Sequence, residues 1–337
     1  MHYNILFSIK HFKKFLKARK FSSVTIITSK PIAFRLTEII DLIKKTVGQK
    51  LKIIFLPDGE KAKEWKVVEK LLSDLIRFNV DKRGILIALG GGTVGDVSGF
   101  AASIYKRGLP YIQIPTTLVA QIDSALGGKT GINFDGFKNQ IGTTYDPIAI
   151  VVDIKILKTL NNDQTIDGLG EIIKYGFIKD REIIKQLNKE TVSSFLSNKS
   201  LGKIIHKSIK VKSFFTTADP YEKGIRQTLN FGHTIGHALE LKYNMSHGKA
   251  VIEGMIRELA ITEKLGLTKK GTKQKLEKLL THLGIAINKK INPDWHAIVK
   301  DKKVFGDKII LPIVKRVGVS SLVTIRLSDF RKLCKRN

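Results

Sequence analysis

The chain has 337 residues, 42% of them hydrophobic and 26% charged, with 59 Lys+Arg against 30 Asp+Glu and a formal charge of +29. That composition excludes a disordered chain, and the length allows about two domains. The single cysteine, Cys334, excludes an intrachain disulfide or a cysteine-rich metal cluster and fits a reducing cytoplasm; no run approaches the ~18 apolar residues of a membrane span.

Residues 3–9 read as a strand, 11–19 as a helix and 23–28 as a second strand. The first acid is Glu38, so this amino end is basic and amphipathic, as a mitochondrial presequence is. Its elements start the alternation that follows, however, and the structural reading is preferred. A helix over 32–47, a strand over 50–56 and a helix over 60–78 lead to a continuous apolar strand at 84–89. A glycine-rich turn, a helix over 94–105 and strands at 111–114 and 148–152 complete the pattern. Strand–helix alternation with fully apolar strands predicts a parallel sheet covered on both faces.

Beyond residue 158 apolar residues recur at helical spacing over 168–187, 201–215, 229–242, 249–265 and 273–283, with one β-rich run at 309–314. The expectation is an α/β nucleotide-binding domain over residues 1–157 and a mostly α-helical domain over 158–337, with a ligand cleft between them. The positive charge lies in lysine-rich stretches (11–20, 44–52, 269–278) interleaved with apolar positions. These read as solvated helix faces. No nucleic-acid-binding motif accompanies them, so no specific nucleic-acid partner and no membrane is expected, and an anionic small substrate fits the charge.

Leu89-Gly90-Gly91-Gly92-Thr93-Val94-Gly95-Asp96 follows an apolar strand and opens a helix. Glycines there let backbone N–H groups approach a phosphate. The loop follows a late α/β unit and no acid lies about 20 residues on, unlike an ordinary dinucleotide fingerprint. A plain tight turn and a pyrophosphate seat on a differently wired sheet both remain open. Further on, Thr116 and Thr117 end a strand, and Arg107, Lys129, Lys138 and Asn139 supply cations and an amide suited to one phosphoryl group.

Asn230-Phe231-Gly232-His233-Thr234-Ile235-Gly236-His237 sets two histidines four apart on one helix face. His247 follows, and Glu171 lies on a separate helix. Two His and one Glu form a common catalytic zinc shell with a position left for substrate. Helix histidines with partners of their own are the alternative, and spacing leaves open whether His233 or His237 is the ligand.

In this order the motifs resemble the 3-dehydroquinate synthase family. The resemblance runs from about Leu56 to Gly318. It includes Leu56-Pro57-Asp58-Gly59-Glu60 with Lys63, residues 88–96, Gly99-Phe100-Ala101-Ala102, Tyr105-Lys106-Arg107-Gly108, residues 112–133, residues 168–176, Asp219 to His237, His247-Gly248 and Asp301-Lys302-Lys303. It implies that Glu171, His233 and His247 bind Zn²⁺ or Co²⁺, that His237 transfers protons beside the substrate, and that Glu222 is a further acid/base. NAD is expected at Gly91, Gly92, Thr93 and Asp96, at Glu60 and Lys63, and at Thr116, Thr117 and Thr159. Lys129, Asn139, Lys174, Lys212, Arg226, Asn230 and Lys303 align with the substrate and phosphate shell, which Asp123 and Lys138 share with the cofactor. Arg107 aligns there too, contributed across a homodimer interface.

The implied reaction takes 3-deoxy-D-arabino-heptulosonate 7-phosphate to 3-dehydroquinate and phosphate in the shikimate pathway. NAD⁺ oxidises an alcohol transiently, phosphate is eliminated, the ketone is re-reduced, and the opened ring closes by an intramolecular aldol step. Inosose- or valiolone-forming cyclases and a metal-dependent polyol dehydrogenase are the alternatives. The chain departs from the family pattern at Thr93, Phe137, Gly170, Lys249 and Phe214-Phe215.

Overall fold

The computed structural model describes residues 3–288, 291–295, 298 and 304–335. The chain divides into two compact units, Met1–Thr159 and Leu160–Asn337.

The first unit alternates β1 (Asn4–Leu6), α1 (Ile9–Lys17), β2 (Val24–Ser29), α2 (Lys30–Arg35), α3 (Thr37–Val47), β3 (Leu51–Leu56), α4 (Trp65–Arg77), β4 (Ile85–Gly90), α5 (Gly92–Ile104) and β5 (Tyr111–Pro115). A hairpin of β6 (Lys129–Phe134) and β7 (Phe137–Thr144) precedes β8 (Ala149–Val151). Six strands form one sheet in the order β1-β8-β5-β4-β2-β3, every neighbouring pair parallel. All residues of β2, β4 and β5 are buried, as strands covered on both faces must be. One face packs on Phe12, Phe15, Ile39 and Ile43 of α1 and α3. The other packs on Val68, Leu71 and Leu75 of α4 and Val97 and Phe100 of α5. The order reverses between β2 and β4, so their carboxyl ends flank the crevice where such sheets take ligands.

The expected helix over 32–47 breaks at Leu36, where the Thr37 hydroxyl donates to the Ala33 and Phe34 carbonyls at 3.2 and 2.8 Å and ends the first helix. The helix expected over 60–78 begins only at Trp65; a 3-10 turn, Gly59–Lys63, precedes it and buries Lys63. The β6–β7 hairpin is absent from the sequence reading although it carried a signal. Asp135 and Gly136 both have positive φ, 50° and 77°, the requirement of a type I′ turn.

The second unit is mainly helical: α6 (Asn162–Ile178), α7 (Arg181–Leu187), α8 (Val192–Phe195), α9 (Leu201–Ala218), α10 (His233–Tyr243), α11 (His247–Lys264) and α12 (Thr272–Leu283). The expected helix over 168–187 is two, because the Asp180 carboxylate accepts from Glu182 N and starts α7 anew. The chain closes with an antiparallel sheet of β9 (Val304–Phe305), β10 (Lys308–Arg316) and β11 (Val319–Arg326), then a helix, Leu327–Lys335. Only the middle of β10 was read from sequence. No helix among the described residues is long and apolar enough to cross a membrane.

Candidate active site

Three helices of the second unit converge through glycine. A methyl group on Gly170 of α6 would lie 2.7 Å from the Gly248 carbonyl oxygen of α11, and one on Gly236 of α10 would lie 2.9 Å from the Ala250 carbonyl of α11. Backbones this close leave no room for a Cβ. Gly170 thus sets the α6–α11 spacing in this chain. The helix ends are held by carboxylates: Asp167 of α6 accepts from Gly248 N at 3.0 Å, and buried Glu258 of α11 accepts from Gly232 N at 2.8 Å. Gly232, at φ 81°, turns the chain into α10, so α10 starts at His233 and not at 229.

Glu171, fully buried, presents Oε1 to His233 Nε2 at 3.4 Å and to His247 Nε2 at 3.5 Å. These three atoms lie within metal-binding reach of one another. Oε2 forms an ion pair with Lys174, one helical turn along and itself buried. Each imidazole is oriented through its other nitrogen: His233 Nδ1 lies 3.2 Å from the Phe231 carbonyl oxygen, and His247 Nδ1 lies 3.2 Å from Glu240 Oε2. Such partners fix the tautomer that leaves Nε2 facing a cation. Burial works to raise the Glu171 pKa, but Lys174 and His247 outweigh it and hold the carboxyl at about 2. Burial likewise opposes the charged form of His247, yet Glu171 and Glu240 push it up to about 10. A buried Oε1 without a hydrogen bond of ordinary geometry, facing two oriented imidazoles, is a set that fits a divalent ion of the zinc type. His237 is exposed, its ring centroid 5.2 Å from that of His233. His237, Glu240 and His247 form a second possible ligand set. Glu240 was missed in the sequence, although His233, His237 and Glu240 stand at i, i+4 and i+7 on one face.

The segment between α9 and α10 carries further sequence candidates. The Asp219 carboxylate accepts from Lys223 N, Gly224 N and Arg226 N. These bonds outweigh burial and hold its pKa below the usual range. The loop so formed places Glu222 Oε1 2.9 Å from Asn230 Nδ2, and Arg226 Nη1 donates to the Pro220 carbonyl at 2.7 Å. Its last turn, Ile225–Asn230, packs against α6 and α9, the helices carrying Lys174 and the buried Lys212. Lys303 lies outside the described residues, as do Asp301 and Lys302.

In the first unit the glycine turn sits at the carboxyl end of β4. Thr116 N donates to the Gly90 carbonyl at 2.9 Å, and a methyl on Gly91 or Gly92 would meet Thr117 Cγ2 at 3.3 Å or Ser124 Oγ at 2.9 Å. Gly95 fits α5 against Gln113 of β5, where a methyl would lie 2.8 Å from Oε1. Thr93 lies in the first turn of α5. Lys63 Nζ bridges Asp96 Oδ2 at 2.6 Å and Asn139 Oδ1 at 2.7 Å. Asn133 donates to Glu60 Oε1 at 2.8 Å and accepts from Asn139 N at 2.9 Å. The structure therefore joins Glu60, Lys63, Asp96 and Asn139 through Asn133, which sequence reasoning did not single out. Lys129 and Lys138 sit on the hairpin and Asp123 in the turn Ala120–Ser124. Among the described residues, Arg107 and Thr159 form no hydrogen bond with this network; Thr159 donates to Ile156 O.

Burial pushes the Asp96 carboxyl up to about 6, with Lys63 opposing the shift. The folded value exceeds the unfolded one, so the native state binds more protons between about pH 4 and 6, and this group's contribution to stability falls as pH rises through that window. Without nucleotide, the wild type is expected to lose about 1–1.5 kcal/mol more than Asp96→Asn between about pH 5 and 7.5. Denaturant unfolding at the two pH values measures it, and equal slopes would refute the assignment.

Comparison with known proteins agrees with both halves of the chain. A 2-deoxy-scyllo-inosose synthase, solved with carbaglucose-6-phosphate, NAD⁺ and Co²⁺, matches with a TM-score of 0.87 at 23% identity, covering 99% of this chain and 97% of that one. 2-epi-5-epi-valiolone synthase from Streptomyces hygroscopicus subsp. jinggangensis 5008, with NAD⁺ and Zn²⁺ bound, matches with a TM-score of 0.84 at 21% identity, covering 100% and 98%. The chain shares the fold of these two synthases. The profile of the 3-dehydroquinate synthase N-terminal domain matches residues 53–167, and that of the C-terminal domain residues 168–304. The 3-dehydroquinate synthase of Clostridium kluyveri is 39% identical over 295 residues, 84% of this chain and 80% of that one. The chain belongs to the 3-dehydroquinate synthase family.

Proposed function

We infer that the chain converts 3-deoxy-D-arabino-heptulosonate 7-phosphate to 3-dehydroquinate and phosphate, a carbon–oxygen lyase reaction in aromatic amino-acid biosynthesis. One observation carries the reading: Glu171 Oε1 faces two imidazole nitrogens at 3.4 and 3.5 Å in a chain whose two halves match the two domains of this family. The matches to curated 3-dehydroquinate synthases favour this substrate over those of the sister cyclases.

When bound, the divalent ion supplies a Lewis acid at the alcohol to be oxidised, and NAD⁺ supplies a hydride acceptor that is regenerated each turnover. Glu171, His233 and His247 would hold the ion, with Lys174 fixing the second carboxylate oxygen and Glu240 and the Phe231 carbonyl fixing the rings. Gly91, Gly92, Thr93, Thr116 and Thr117 would line the dinucleotide, with Glu60, Lys63, Asp96 and Thr159 as polar partners. Lys129, Lys138, Asn139, Lys212, Arg226, Asn230 and Lys303 would neutralise the departing phosphate and orient the open chain, as would Arg107 from the second subunit of a homodimer. Asp123 completes that shell. His237, exposed beside the metal set, would move the proton, with Glu222 as a second acid/base. The expected compartment is the cytoplasm.

The purified protein, loaded with Zn²⁺ or Co²⁺ and NAD⁺, should release phosphate and dehydroquinate in equal amounts from the heptulosonate phosphate with no net NADH. Accumulating NADH, or phosphate without dehydroquinate, would reject the reading. His237→Ala should lower turnover by about 10²–10⁴ while metal content stays at the wild-type level; loss of the metal would make His237 a ligand instead.

A further inference from the structure

We propose that a basic cavity in the second unit, built from none of the candidate catalytic residues, binds small molecules carrying two or more linked phosphates. The cavity measures about 590 Å³, within the range of small-molecule sites. From α7, Arg181 and Lys185 line it, four residues apart on one helix face. From α12, Lys275, Lys278 and His282 line it at spacings of three and four. Lys269 and Arg316, the last residue of β10, complete the basic lining.

The backbone under these side chains is fixed. Gly318 N donates to the Phe177 carbonyl at 2.8 Å, and Lys269 N to the Lys315 carbonyl at 2.9 Å. Gly318, at φ 85°, lies so close to α7 that a methyl group there would be 3.2 Å from Arg181 Cβ. The β10–β11 turn is thus seated on the start of α7, which holds Arg316 and Arg181 on one rim.

The charge of the cavity is poorly compensated. Glu182 pairs with Lys185 at 2.7 Å and reaches Arg181 at 3.9 Å. Glu277, the acid nearest on α12, is taken by Lys273 at 2.8 Å. Among the described residues, Lys269, Lys275, Lys278 and Arg316 have no ion-pair partner. Like charges gathered around a concavity repel one another and raise the local anion concentration. Ile184, Leu279 and Val317 line the same space and give the floor between the cations an apolar surface.

Cations spread over two helices and a strand end match a row of phosphates; a single phosphate would engage only part of them. An open concavity of this size suits a small polyphosphate, whereas a nucleic-acid backbone needs a groove to track along. The inference does not depend on the synthase reading.

Isothermal titration of the full chain with inorganic tripolyphosphate, at about 150 mM salt to screen diffuse charge, tests the site. Saturable binding is expected, with orthophosphate roughly tenfold weaker or worse. Lys278→Glu/Arg316→Glu and the milder Lys275→Gln/Lys278→Gln should each weaken it by roughly tenfold or more, while Lys14→Glu/Lys17→Glu on α1 should not. ATP binding more tightly than tripolyphosphate would place a nucleoside in the cavity, and equal binding would restrict the site to the phosphate chain; both outcomes support it. The proposal fails if both cavity variants bind as the wild type does, if the α1 variant loses as much, or if an oligothymidylate outcompetes tripolyphosphate with the same variant dependence.

Discussion

Glu171→Gln is expected to leave the purified protein without its divalent ion and to reduce turnover by about a thousandfold or more, since a Lewis acid at the reacting oxygen is worth several kcal/mol. The substitution keeps the volume of the side chain and removes only its charge. It also strands Lys174, which is buried and paired with the lost carboxylate. Breaking one partner of such a pair costs roughly 3–5 kcal/mol, so the single variant should unfold at lower denaturant. Glu171→Gln/Lys174→Met separates the two effects: stability should recover while metal content does not. Plasma emission analysis and denaturant midpoints are the measurements. Stoichiometric metal and full turnover in Glu171→Gln would remove the carboxylate from the ligand set.

Gly254→Ala is expected to damage the same centre from behind. A Cβ there would fall on the Gly232 carbonyl oxygen, with Gly236 N only 2.8 Å away. Both neighbours are backbone and cannot swing aside, so α10 must separate from α11. Overpacking of this kind costs about 1–3 kcal/mol, sometimes more. His233 rides on α10 and His247 on α11, so the separation should also weaken metal binding. Gly202→Ala on α9 is the control: beyond its chain neighbours and its own helix backbone, no atom lies within 4 Å of its added methyl, and a gain of about 0.4–1 kcal/mol is expected. Co²⁺ titration followed by absorbance, with chemical unfolding of each variant, distinguishes the two. Wild-type metal affinity in Gly254→Ala would show that the helix spacing does not govern the centre.

The sheet was legible because its strands are buried on both faces: Ile85–Gly90 is an unbroken apolar run, and periodicity needs nothing more. Breaks within helices were not legible. Thr37 ends α2 through its hydroxyl, and Asp180 begins α7 through its carboxylate, local events that hydrophobic spacing averages over. The Asp135-Gly136 turn was legible and went unread, because β7 is exposed along most of its length and lacks alternation. At the metal set, residue types and order named Glu171, His233 and His247 by resemblance, while spacing alone could not choose between His233 and His237. What brings His233, and not His237, to the Glu171 carboxylate in the structure is contact across helices. Glu258 fixes the start of α10 from more than 20 residues away, and glycines of three helices set the approach. Such relations leave no local pattern. Asn133 is similar: its partners, Glu60 and Asn139, come from the turn before α4 and from β7.

The ion pair between Lys174 and Glu171 changes the charge tally of the pocket around them. The carboxylates of Glu171 and Glu240 are balanced by the Lys174 ammonium and the His247 proton, so a dication taking the place of that proton would leave this group of residues one unit positive. An excess of that sign stabilises an oxyanion over its parent alcohol. A buried lysine paired with the Glu171 carboxylate would in this way tilt the acidity of a hydroxyl held at the loaded centre.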